Sequence, residues 1–131
     1  LVDEDYGLRP FVQAVAADID HRCRYCYACR LDRTARYAAE NGFDSFSTTL
    51  LISPYQDHEL IRTLGETAAH KYGVPFLYRD FRPGFWDGHE KAKALGFYMQ
   101  KYCGCIFSEE DRYAKAIARD KKNTMVHFPE P

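Results

Sequence analysis

The chain has 131 residues and a mass of 15.2 kDa, one domain's worth, with enough length to bury a core. Hydrophobic residues at 46% and charged residues at 28% exclude a disordered tail, and 18 Lys+Arg against 19 Asp+Glu leave a net charge of −1 and no global pull toward nucleic acid. The cysteines stand out: Cys23, Cys26 and Cys29 lie close together, and Cys103 and Cys105 follow far downstream. An odd, clustered set favours metal or redox chemistry over a closed disulfide framework.

The N-terminus, LVDEDYG, is acidic and lacks an apolar h-region, so a signal peptide is not expected. No run approaches the roughly 18 apolar residues of a membrane span, and a reducing cytoplasm is the expected compartment. The chain opens on Leu1 rather than Met, as a fragment would. A short strand is expected over 1–4 and a helix near 8–18. A second helix covers about 23–41, where Leu31, Ala35, Ala38 and Ala39 form one apolar stripe. It ends at Gly42-Phe43, and Ser45 to Ile52 then reads as a buried strand, rich in β-branched and apolar residues. A loop over 53–57 leads to a helix over 57–72, striped by Leu60, Leu64 and Ala68 and closed by Gly73. A strand over 75–79, a loop over 80–87 and a helix at about 88–96, ending at Gly96-Phe97, come next. A cysteine turn occupies 102–106, Ser108-Glu109-Glu110-Asp111 is expected to cap a last helix, and the tail past Asn123 reads as irregular. Helix, glycine and strand in repetition imply parallel strands joined by helical crossovers. The expected fold is a single α/β domain over 1–131, with a thin sheet that has lost an N-terminal strand.

Cys23 and Cys26 at i and i+3 on a helix lie about 60° apart around its axis, within reach of one metal. In Cys103-Gly104-Cys105 the glycine removes the side chain between two thiols. Four thiolates suit zinc or an iron–sulfur cluster, and the two pairs do not choose between them. Each cysteine could otherwise be a small buried hydrophobe. Cys29 extends the spacing to C-x2-C-x2-C, but Arg30 and Leu31 follow where a ferredoxin run has C-P, so it reads as an ordinary helix cysteine. Thiol–disulfide exchange at Cys23 and Cys26 is a further reading, without a thioredoxin-like WC-x2-C context.

Arg22, Arg24, Arg30, Arg33 and Arg36 stand against Asp32 alone around the first pair, and Lys91, Lys93 and Lys101 approach the second. Tyr25, Tyr27, Tyr55, Phe81, Phe85, Trp86 and Tyr102 fall near the same loops. Arginine with exposed aromatics is how single-stranded RNA is held; a solvated helix face with a core aromatic cluster is the plainer reading. Thr48-Thr49, Ser53-Pro54-Tyr55 and Asp80 to Gly84 lie at the carboxyl ends of the expected strands, where open α/β sheets bind ligands. There Arg82 or Tyr55 could grip a phosphate and Asp80 could complete a metal site, unless Asp80 and Arg82 form a loop salt bridge. His21 and His58 read as structural.

Three blocks, RCRYCYACRLDRTARYAAENGFDSFSTTLLISPYQDHE, FLYRDFRPG and GFYMQKYCGCIFSEEDR, closely resemble the QueH-type epoxyqueuosine reductase family over about residues 1–113. The resemblance implies an oxidoreductase that reduces epoxyqueuosine to queuosine at the wobble position of tRNA with a GUN anticodon. It implies a HUP-like parallel sheet with helices on both faces, a 4Fe-4S cluster, an additional iron or other divalent metal ion, an external electron donor and no membrane. The ligands carried over by position are Cys23, Cys26, Cys103 and Cys105, which in a metal-free form are candidates for disulfides. Asp80 is a candidate for the neighbouring metal and Tyr27 for the proton donor. Arg30, Ser53, Tyr55, Arg82 and Gln100 match positions near the expected tRNA cleft. Two departures accompany the match. The family's upstream strand and Cys-Cys-x2-Cys loop have no counterpart here, and Met99 stands where arginine is usual. The rival expectation is a zinc-stabilised RNA-binding module without catalysis.

Overall fold

The computed structural model describes residues 4–5 and 7–125, which divide into two compact units, Leu1–Glu90 and Lys91–Pro131. The first begins with α1 (Leu8–Val15), a 3-10 turn at Ile19–His21 and the long helix α2 (Arg22–Glu40). A 3-10 turn at Thr49–Ile52 precedes α3 (His58–Tyr72), and another at Arg82–Gly84 leads into α4 (Phe85–Ala94). The second unit carries the cysteine turn and α5 (Ile106–Met125).

The stripe read from the sequence becomes the core of the first unit. Leu31, Ala35 and Ala38 of α2 are buried together with Tyr27, and they face Ile61 and Ala68 of α3, with Phe46, Leu51 and Val74 closing the cluster. Alanines on the facing sides let the two helices approach. Leu31, Leu51 and Ile61 are the largest fully buried side chains; each contributes roughly 1.5–3 kcal/mol by leaving water. At the rim Asp32 of α2 accepts hydrogen bonds from Lys71 Nζ (2.7 Å) and the Tyr72 hydroxyl (2.8 Å) of α3. The limits of α3 have local causes. Asp57 Oδ1 accepts from the Leu60 N–H at 3.0 Å, and Gly73 closes the helix in the left-handed region, φ 70°, with its N–H donating to the Ala69 carbonyl.

The expected parallel sheet does not form. Among the described residues there is no strand; one isolated parallel bridge joins Phe46 and Phe76. Phe46 N–H donates to the Pro75 carbonyl at 3.0 Å, and Leu77 N–H donates to the Phe46 carbonyl at 2.8 Å. The pairing then stops for a side-chain reason. The Leu77 carbonyl, which the next rung would use, accepts from Ser47 Oγ at 2.9 Å. Thr48 Oγ1 accepts from the Leu50 N–H at 3.2 Å and so caps the 3-10 turn. One hydroxyl bonding across to the partner segment and one bonding its own backbone thus take up groups in a stretch whose β-branched composition favours a strand.

Other boundaries shift as well. The helix expected near 8–18 ends at Val15, and the one expected at about 88–96 starts at Phe85. The last helix begins at Ile106, before Ser108, and continues past Asn123 to Met125. Residues 1–3 of the strand expected over 1–4, and 126–131 of the tail, lie outside the described residues.

Candidate functional site

The first thiol pair lies on α2. With Tyr27, Leu31, Ala35 and Ala38 turned into the core, helical periodicity carries Cys23, Cys26 and Cys29 progressively away from that face. Cys29 ends up opposite it. Cys23 and Cys29 are exposed and Cys26 is half-buried. Arg30, Arg33 and Arg36 continue the same outward arc and are exposed, Arg36 lying 3.9 Å from Glu40. A hydrogen bond with Cys29, reinforced by its charge, raises the Tyr25 hydroxyl above the usual tyrosine range. The Tyr25 ring packs 6.1 Å from Phe11 of α1. Tyr27 is only 5% exposed and belongs to the core, four residues on from Cys23 and so its neighbour along the helix.

The second pair brackets a turn in the second unit. Gly104 has φ 96°, a conformation that side-chain-bearing residues rarely adopt. Cys103 is exposed and Cys105 half-buried. Gln100 Nε2 donates to the Tyr102 carbonyl at 2.7 Å, and the Cys105 carbonyl accepts from the Glu109 N–H at 2.9 Å, opening α5. Tyr102 stacks edge-on to Tyr113 at 6.4 Å, and the negative charge of Glu109 raises its hydroxyl.

A third group gathers after the bridged segments of the first unit. Ser53 Oγ accepts from the Tyr55 N–H at 3.2 Å, and the Ser53 carbonyl accepts from His58 Nε2 at 3.0 Å. That bond places the proton of the neutral ring on Nε2. His58 is 5% exposed, and its buried Nδ1 has no hydrogen-bond partner. Asp80 and Arg82 form a bidentate loop salt bridge, with Nε to Oδ1 at 2.9 Å and Nη2 to Oδ2 at 2.7 Å; the Arg82 N–H donates to Oδ1 as well. The guanidinium, more than any other neighbour, holds the Asp80 carboxyl down at about 2. Beyond them Tyr55, Phe85, Trp86 and His89 touch ring to ring. His89 was not singled out from the sequence; its i+4 spacing from Phe85 was the available signal.

Cys23, Cys26, Tyr27, Arg30, Ser53, Tyr55, Asp80 and Arg82 therefore belong to the first unit, and Gln100, Cys103 and Cys105 to the second. Among the described residues no three His, Cys, Asp or Glu side chains gather to hold a metal ion. Soft thiols in pairs suit zinc or iron–sulfur by their chemistry, but the arrangement within neither unit completes such a site. No helix among the described residues is long and apolar enough to cross a membrane.

Comparison with known proteins adds an independent line. The family model described as epoxyqueuosine reductase QueH matches residues 1–111, a stretch that contains both thiol pairs. Proteins named epoxyqueuosine reductase QueH are similar to the chain in several bacteria. That of Dehalococcoides mccartyi is 39% identical over 115 residues, covering 88% of this chain and 63% of its own. That of Thermotoga maritima is 45% identical over 103 residues, covering 77% and 54%, and that of Streptococcus pyogenes 37% over 120 residues, covering 82% and 47%. The chain thus spans about half to just under two-thirds of the length of these relatives. With the two thiol pairs, the intervening motifs and the match over 1–111 in agreement, the chain belongs to the epoxyqueuosine reductase QueH family.

Proposed function

We propose that the protein reduces epoxyqueuosine to queuosine at the wobble position of a tRNA with a GUN anticodon, in the cytoplasm, with electrons from an external donor. The observation that carries this reading is the family match over residues 1–111, inside which Cys23, Cys26, Cys103 and Cys105 all fall. In this reading the four thiolates belong to a 4Fe-4S cluster with an additional iron or other divalent ion beside it. Removal of an epoxide oxygen consumes two electrons and two protons and releases water, so the site needs a redox group and a proton source. Tyr27 is the proton donor in this reading, supported by its position one helical turn from Cys23 and next to Cys26. Asp80 remains the candidate for the neighbouring ion. Its persistent negative charge supports that role, and its salt bridge with Arg82 would have to open for it. Arg30, exposed on the thiol face of α2, together with Ser53, Tyr55, Arg82 and Gln100, holds the tRNA.

The test is anaerobic reconstitution of the protein with iron and sulfide, followed by assay on epoxyqueuosine-containing tRNA with a low-potential reductant. The expected result is a brown protein with charge-transfer absorption and conversion of the nucleoside, read by mass spectrometry. A colourless protein that carries zinc and leaves the epoxide intact would overturn the reading in favour of a zinc-stabilised RNA-binding module.

A further inference from the structure

The ring cluster of the first unit has a role that the thiols and the salt bridge do not supply. Phe85, half-buried, stands at its centre, 5.8 Å from Tyr55 and 5.0 Å from Trp86, with interplanar angles of 84° and 80°. His89 joins both Phe85, at 6.0 Å, and Trp86, at 5.9 Å. The outer rings are open to solvent: Tyr55 is 75% exposed and Trp86 61%. Leaving them in water forgoes the burial that large aromatics normally supply. An edge-to-face contact takes the edge of one ring and one face of the other, so the exposed outer rings keep further ring surface open to a planar group. The base of the cluster is fixed, since Tyr55 N–H is tied to Ser53 Oγ, Ser53 to His58, and Gly84 N–H to the Phe81 carbonyl at 3.0 Å.

The chemistry selects the occupant. The patch consists of aromatic rings, which suit planar bases better than aliphatic side chains. The nearby charges are already engaged or mixed in sign: Arg82 is paired with Asp80, Arg79 lies over the Phe81 ring at 5.7 Å, and Asp87 sits beside Trp86 in the sequence. The rings themselves offer stacking, and phosphate contact is left to residues outside the cluster. We infer that Tyr55, Phe85, Trp86 and His89 form a stacking platform for unpaired RNA bases. The inference rests on the proposed tRNA substrate and assigns its loop bases to a specific surface.

Trp86 is the chain's single tryptophan, so its emission reports on the platform directly. The experiment titrates the whole chain with an unmodified RNA hairpin bearing a single-stranded loop, and with a matched duplex. Binding of the wild type and of W86L, Y55L and W86F is measured by anisotropy of the dye-labelled hairpin. The expected result is quenching by the hairpin and not by the duplex, with binding weakened roughly five- to hundred-fold in W86L and in Y55L and largely retained in W86F. That weakening should be the same at low and high salt, because stacking releases no counterions. Unchanged Trp86 emission at saturating hairpin, equal quenching by the duplex, wild-type affinity in W86L, or no hairpin binding at all would each overturn the platform. Parallel assay of epoxide loss separates the two ideas. Reduction without quenching overturns the platform alone, whereas quenching without reduction supports the platform and counts against the proposed activity.

Discussion

Gly65 lies directly against the ring of Phe76: a Cβ built on it would fall 2.7 Å from Phe76 Cζ and closer still to Cδ1 and Cε1. Phe76 is also a bridge residue, and its ring packs 5.2 Å from that of Phe46. The glycine in the middle of α3 is therefore the space into which the bridged segment docks. Alanine there gains about 1 kcal/mol of helix propensity but overpacks the contact, a cost of about 1–3 kcal/mol. Gly65→Ala is expected to lower the urea midpoint, and the double variant Gly65→Ala/Phe76→Leu to recover part of the loss. A midpoint in Gly65→Ala at or above that of the wild type would show that the ring moves freely.

The second prediction concerns pH. The folded Asp80 carboxyl, held at about 2 by Arg82, lies below its ordinary value of 3.8. Its contribution to stability is therefore fully present above 3.8 and is lost as pH falls through about 2. Carboxyl-carbon NMR should show Asp80 titrating near 2, and Arg82→Gln should move that midpoint upward toward 3.8. An unmoved midpoint would mean that another group holds the carboxylate.

His58 offers a third. Its Nε2–H holds the Ser53 carbonyl while its Nδ1 is buried and unpaired. Glutamine can present an amide N–H in place of Nε2 and keeps the bond to the Ser53 carbonyl, whereas leucine leaves that carbonyl unmet. Thermal unfolding should rank His58→Gln above His58→Leu by about 1–2 kcal/mol. Equal stability of the two would remove the Ser53 bond from any account of this loop.

The fourth separates the cysteines. After anaerobic reconstitution, Cys26→Ser and Cys103→Ser should each lose most of the charge-transfer absorption, and Cys29→Ser should keep it, because Cys29 lies opposite the core face of α2 and engages Tyr25. Loss of absorption in Cys29→Ser would add it to the ligand set.

The helices were legible because their causes are local. The Leu31-Ala35-Ala38 stripe, the Asp57 cap and Gly73 at φ 70° are all written within a few residues of where they act. The expected sheet was misread because Ser47 and Thr48 favour a strand by composition yet end the pairing through their hydroxyls, a competition that composition does not rank. At the candidate site, the Asp80–Arg82 pair was legible as an alternative from its i, i+2 spacing. The burial of His58 and the convergence of Tyr55 with Phe85 were not, since both depend on how the turn after Ile52 returns toward the loop after Asp80.

The isolated bridge also makes a gauge for that region. The amides of Phe46 and Leu77 are bonded across the two segments, and the loops carrying Ser53 and Asp80 hang from those segments. Their rates of exchange with deuterated solvent would register how often the two segments part. If an RNA loop settles on Tyr55 and Trp86, these two amides should exchange more slowly, reporting from inside the fold an event that takes place at its surface.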